Sequence, residues 1–233
     1  MKALVARALA ARVKDGDVLG LGSGSTVELA VDQIGQRVAR EGLKVAGVPT
    51  SHRIAMIAAK AGIDVLSPVT SIELAWGFDG ADEVDPAFNL IKGRGGAMLT
   101  EKILAKRVKE FIVIVSEDKL VEKLGSRNPV PVEVIPEATS LVTQQLKALG
   151  SRDVVLREAT NKYGPIITEH NNVILDAWFD DVHPVLEREI KQLTGVVESG
   201  LFVGTTKEII VASATRVYSR TLRDGKITDT EIS

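Results

Sequence analysis

The chain has 233 residues, a formal charge of −2 and no cysteine. With lysine and arginine spread along its length, it carries no electrostatic footprint for a nucleic-acid backbone, and the lack of thiols excludes disulfides, thiolate metal sites and a cysteine nucleophile. Hydrophobic residues make up 45% of it, enough for a buried core, while no uncharged apolar run approaches the roughly 18 residues of a membrane span, so neither disorder nor an integral membrane protein is expected.

The start, MKALVARALAARVKDGDV, places Leu4, Val5, Ala8, Leu9 and Arg12 at helical spacing. Arg7 and Arg12 interrupt its apolar run, so it reads as an amphipathic helix over 3–13 rather than a signal peptide. A strand at 18–21 and a helix from about Thr26 to Arg40 follow. Next come a strand at 44–48, a helix near 51–61, strands at 64–66 and 72–79, a glycine-rich loop, a helix over 96–108 and a strand at 111–115. Strands alternating with helices predict an α/β fold whose parallel sheet is covered on both faces. After about Asn128 the order becomes strand 130–135, helix 138–149, strands 154–157 and 172–179, helix 183–193 and strand 196–202. This βαββαβ order is that of a ferredoxin-like split unit. The expected division is a main α/β domain of residues 1–128 plus 203–233, with a small α+β domain of residues 129–202 inserted in it. Residues 208–212 and beyond read as strand returning to the main sheet.

Four segments could carry chemistry. The turn Gly22-Ser23-Gly24-Ser25-Thr26 joins the first strand to a helix, so its backbone N–H groups and the helix dipole suit a phosphate. The dinucleotide fingerprint fails for want of its last glycine, and a Walker A loop fails for want of its lysine; the same turn also reads as a plain connection with Ser25 or Thr26 as N-cap. The second segment, Phe78-Asp79-Gly80-Ala81-Asp82-Glu83-Val84-Asp85, follows an apolar strand, and ligands bind at the carboxyl ends of parallel strands. Asp79 and Asp82 are its candidates for turning toward one substrate, and Glu83 and Asp85 are expected to be solvated. The third, Lys92-Gly93-Arg94-Gly95-Gly96, can wrap a small polar ligand and set an ammonium against it. Glu101 then falls in the first turn of the next helix, where it is either a functional carboxylate or one that merely complements the dipole. The fourth, Ser116-Glu117-Asp118-Lys119, again follows a strand, and Lys119 could meet an anion. His52, His170 and His183 share no metal-ligand spacing, so no metal and no cofactor are expected.

Taken in order, GLGSGSTVELA, FDGADEVDP, IKGRGGAMLTEK, SEDKLVEKLG, PVPVEVIP, NNVILD and GVVESGLF closely resemble the A type of ribose-5-phosphate isomerase over nearly the whole chain. The resemblance implies a Rossmann-like domain with a small α+β domain. It also implies a cofactor-free, cytoplasmic aldose-ketose isomerase of ribose 5-phosphate and ribulose 5-phosphate, built as a homo-oligomer, a dimer or a dimer of dimers. By motif it makes Glu101 the catalytic base, with Asp79, Asp82 and Lys92 as its catalytic company. Ser23, Gly24, Ser25, Thr26, Asp79, Gly80, Ala81, Asp82, Lys92, Gly93, Arg94, Gly95 and Lys119 become substrate-binding residues. Arg94 departs from the all-glycine loop common in the family, and its side chain is expected to point outward. An amino-sugar-phosphate deaminase or an isomerase of another sugar is the nearest rival. A non-catalytic sugar-phosphate sensor is disfavoured, since no helix-turn-helix segment precedes the first strand.

Overall fold

The computed structural model describes residues 1–232. In chain order they form α1 (Lys2–Ala10), β1 (Val18–Leu21), α2 (Ser25–Glu41), β2 (Ala46–Pro49), α3 (His52–Lys60), β3 (Asp64–Val65) and β4 (Trp76–Asp79). There follow β5 (Glu83–Val84), β6 (Leu90–Ile91), α4 (Met98–Arg107), β7 (Phe111–Ser116), β8 (Val130–Val134), α5 (Thr139–Ala148), β9 (Ser151–Leu156) and β10 (Val173–Phe179). The last elements are α6 (Leu186–Lys191), β11 (Val196–Ser199), β12 (Leu201–Phe202), β13 (Glu208–Ala212), β14 (Val217–Arg223) and β15 (Lys226–Ile232).

The chain divides into two compact units. The first comprises residues 1–81, 100–119 and 205–232, and the second residues 82–99 and 120–204. These bounds differ from the expected division in a definite way. The segment around β5 and β6 belongs with the second unit because β6 pairs antiparallel with both β5 and β12.

The first unit is built on an eight-stranded sheet of order β15-β14-β13-β7-β4-β1-β2-β3. From β13 to β3 all neighbours are parallel, and β14 and β15 close one edge as an antiparallel hairpin. The chain leaves β1 toward β3 on one side and resumes at β4 toward β7 on the other, so the strand order reverses between β1 and β4. Helix α2 buries Val27, Ala30, Val31 and Ile34, the i, i+3, i+4, i+7 stripe of a helix lying on a sheet. Helix α1 is rotated from its expected face, with Ala6 and Ala10 buried and Leu4 exposed. These helices share one core with Leu19, Leu21, Phe78, Ile112 and Ile114.

The second unit holds a four-stranded sheet of order β11-β8-β10-β9, antiparallel throughout. Strand order 4-1-3-2 in a βαββαβ chain is the ferredoxin-like arrangement. Val130, Val132 and Val134 of β8 point to one face and pack with Val142 and Leu146 of α5 and Leu186 and Ile190 of α6. The expected single strand over 196–202 is broken at Gly200. A Cβ there would lie 2.2 Å from the Lys92 carbonyl oxygen, and the Gly200 carbonyl accepts from the Lys92 N–H at 2.8 Å.

Candidate active site

In open parallel sheets ligands bind outside the carboxyl ends of the strands, where the strand order reverses. In the first unit that point lies after β1 and β4, and the segments leaving these strands are Gly22–Thr26 and Asp79–Ala81. They are pinned together. Asp79 is fully buried, and its Oδ1 accepts from the N–H of Ser23 at 3.0 Å and of Gly80 at 2.7 Å. Gly22 permits this approach, since a Cβ on it would fall 2.2 Å from the Asp79 carboxyl carbon.

Helix α2 starts directly from this turn. Its N-cap is Gly24, at φ 113°, and no side chain caps it. This corrects the alternative in which Ser25 or Thr26 is the cap: both lie inside the helix, and the first-turn N–H groups stay directed at whatever occupies the turn. The Ser23 hydroxyl lies 2.9 Å from the Thr50 hydroxyl and donates to that of Ser51 at 2.8 Å. Ser51 itself caps α3 by accepting from the Ile54 N–H. Thr50 and Ser51 were not among the residues singled out in the sequence, although a hydroxyl pair directly after the strand next to β1 was a usable signal. Lys119 ends a short 3₁₀ turn that follows β7 and lies 3.8 Å from the Asp118 carboxylate.

Glu101 sits in the first turn of α4 and is 3% exposed, so it is a buried carboxylate and not a solvated one. Its height follows from packing. Leu104 lies against Gly20 of β1, where a Cβ would come within 2.3 Å of it. After α4 the chain enters β7 at Phe111, which pairs with Gly77 near the start of β4. The helix therefore ends at the amino side of these strands, and Glu101, about 4.5 Å before Leu104 along the axis, is carried toward their carboxyl ends.

The second unit holds the remaining candidates. Asp82 Oδ2 accepts from the backbone N–H of Arg94 at 3.1 Å, so the acidic turn and the glycine loop are joined there. Asp79 and Asp82 thus have different duties: Asp79 spends Oδ1 on the turn after β1, and Asp82 engages the loop after β6. Lys92 is buried, with its ammonium 5.6 Å from the centre of the Phe202 ring, a favourable cation–π placement. The Arg94 side chain is exposed, and a Gly93 to Gly96 turn is closed by a 3.0 Å backbone hydrogen bond.

Glu83 overturns its solvated expectation, whereas Asp85 is partly exposed. Glu83 is fully buried and accepts from the N–H groups of Gly125, Arg127 and Asn128 at 2.7–2.8 Å, and from Asn128 Nδ2 at 3.0 Å. Asp85 accepts from the backbone and side chain of Asn89. Among the described residues no cluster of three or more His, Asp or Glu could hold a metal ion, and no helix is long and apolar enough to cross a membrane.

A sequence profile of ribose 5-phosphate isomerase A (phosphoriboisomerase A) matches residues 46–216. Ribose-5-phosphate isomerase A of Thermosynechococcus vestitus is 47% identical over 216 residues, covering 91% of this chain and 90% of the relative. The chain belongs to the ribose 5-phosphate isomerase A family. Its fold agrees with this membership. The ribose 5-phosphate isomerase A of Methanocaldococcus jannaschii superposes with a TM-score of 0.87 at 36% identity, covering 99% of this chain and 98% of that one. A D-ribose-5-phosphate isomerase in complex with phospho-erythronic acid gives 0.91 at 37% identity, covering 94% and 97%.

Proposed function

We propose that this chain interconverts D-ribose 5-phosphate and D-ribulose 5-phosphate in the non-oxidative pentose phosphate pathway, with Glu101 carrying the proton. In the forward direction the Glu101 carboxylate takes the C2 proton of the opened aldose. The C2–H electron pair becomes the C1=C2 bond, and the carbonyl π pair moves onto O1 to give an enediolate. Moving the O2 proton to O1 and returning the proton from Glu101 to C1 then leaves a hydroxyl on C1 and the ketone at C2. One base facing the same side of both carbons can perform both transfers, a role worth about 10²- to 10⁴-fold.

Lys92 and the backbone N–H groups of Gly93 and Gly95 stabilise the enediolate charge, since donors set in advance act where charge develops. The Ser23 to Thr26 turn, with Lys119, seats the phosphate, whose binding energy orients the reacting end. Asp79 shapes that turn through its bonds to Ser23 and Gly80, and Asp82 accepts hydrogen bonds from sugar hydroxyls. The observation that supports the base assignment best is a buried carboxylate in the first turn of α4, carried toward the end of the sheet where the strand order reverses. Glu101→Gln should lower kcat by about two to four decades with KM little changed, read by ribulose 5-phosphate formation. Near-normal turnover in that variant removes Glu101 from the mechanism. A homo-oligomer and a cytoplasmic location belong to the same reading and are supported by family membership; light scattering on the purified chain tests the first.

A further inference from the structure

The glycine loop is gripped from behind by a residue that the mechanism above does not use. Arg157, just after β9, has its backbone bonded on both sides: its N–H donates to Ile174 O at 2.8 Å and its carbonyl accepts from the Ile166 N–H at 2.9 Å. Its side chain is 13% exposed and forks onto Asp176 of β10, with Nε 2.8 Å from Oδ2 and Nη2 bonded to Oδ1. The remaining nitrogen, Nη1, donates to two consecutive carbonyls of the loop, Gly93 O at 2.8 Å and Arg94 O at 3.0 Å.

Carbonyl and N–H point in opposite directions across a trans peptide, and no peptide bond among the described residues is cis. Holding the Gly93 and Arg94 carbonyls on one guanidinium nitrogen therefore turns the N–H groups of Arg94 and Gly95 to the opposite side. The first of them does point that way, onto the Asp82 carboxylate. The second lies on an exposed residue. Charge-assisted bonds at the carbonyl ends are stronger than neutral ones and polarise the peptides, which improves their N–H ends as donors.

We propose that Arg157, fixed by Asp176, is a positioning residue for the isomerisation: it sets the two loop peptides so that the Arg94 N–H stays on the Asp82 carboxylate and the Gly95 N–H is presented to the enediolate on that side. This rests on the loop assignment made under the proposed function. Arg157 does not touch the substrate; it acts through the backbone of Gly93, Arg94 and Gly95.

Steady-state kinetics of Arg157→Met and Arg157→Lys test this, together with affinity for phospho-erythronic acid, whose carboxylate stands in for the charged enediolate. Circular dichroism and thermal unfolding establish that each variant is folded. Folded Arg157→Met should lose about 10- to 100-fold in kcat, as expected for misplaced oxyanion donors, with KM changed by less than about threefold. Its affinity for phospho-erythronic acid should fall with kcat, while competition by inorganic phosphate stays as in the wild type. Arg157→Lys should recover part of the loss, because an ammonium can serve a carbonyl but not the whole fork. Wild-type kcat and analogue affinity in folded Arg157→Met overturn the proposal. Where Arg157→Met does not fold, Arg157→Lys decides: reduced kcat at unchanged KM supports it, and wild-type kcat overturns it. Glu101→Gln run alongside separates the two levels, since an active Glu101→Gln sinks the functional reading, whereas an inactive one beside unaffected Arg157 variants sinks this inference alone.

Discussion

At the level of single residues, backbone and carboxylate approach each other closely after β1 and β4. Gly22 is the test case, because a methyl group there would lie within 2.2–2.5 Å of the Asp79 side chain. Gly22→Ala should push Asp79 off the Ser23 N–H and move the phosphate turn, lowering kcat/KM by about 100-fold; steady-state kinetics with ribose 5-phosphate checks it, and unchanged kinetics contradicts the role given to Asp79. The sequence showed a glycine and hydroxyl-rich turn at this place, and showed that Asp79 follows a strand. What it could not show is that the two touch, since 56 residues separate Ser23 from Asp79. Glu83 was misread for a related reason. Acids crowded in a loop are usually solvated, and nothing local reveals that the N–H groups of residues 125–128 come to meet this one.

At the scale of elements, the longer segments were legible because periodicity reports burial directly: β1, α2, α4, β7, β10 and β13 lie within a few residues of their expected places. The pairs β5 and β6 were not, since two-residue strands carry no alternation. The β14–β15 hairpin did leave a signal, the Asp224-Gly225 pair with φ of 49° and 74° between alternating strands, as a primed two-residue turn requires. Glu83 gives the prediction for this scale, because it ties β5 to the loop at 125–128. Glu83→Ala strands several buried N–H groups and should destabilise the chain by about 2–4 kcal/mol, read as a lower midpoint in urea. An unshifted midpoint would show that those N–H groups find other partners.

At the scale of the whole molecule, stability has a pH dependence whose sign is set by Glu208. Arg12 bonds its carboxylate at 2.5 and 2.8 Å and Ser219 adds a bond at 2.5 Å, joining the segment after α1 to β13 and β14. The Arg12 hydrogen bond holds the Glu208 carboxyl below its ordinary value, against the opposing effect of burial. A carboxylate with a depressed pKa in the folded state stabilises above its unfolded value and loses that contribution as the pH falls through the folded one. Glu208→Gln should therefore lower Tm at pH 7 by about 2–4 °C, for a loss near 1 kcal/mol. The gap between the two proteins should close as the pH falls below about 4.5, and a gap that widens in acid contradicts the assignment.

The change of element order after Asn128 is visible in the sequence, while the grouping of residues 82–99 with residues 120–204 depends on strand pairing that no local pattern announces. Proton transfer by Glu101 is tested by the fate of deuterium at C2 of labelled ribose 5-phosphate. In the wild type that deuterium should leave C2, appearing in part at C1 of ribulose 5-phosphate and in part in water, and in folded Glu101→Gln its loss should slow by about two to four decades. Loss of C2 deuterium at the wild-type rate in Glu101→Gln would contradict it.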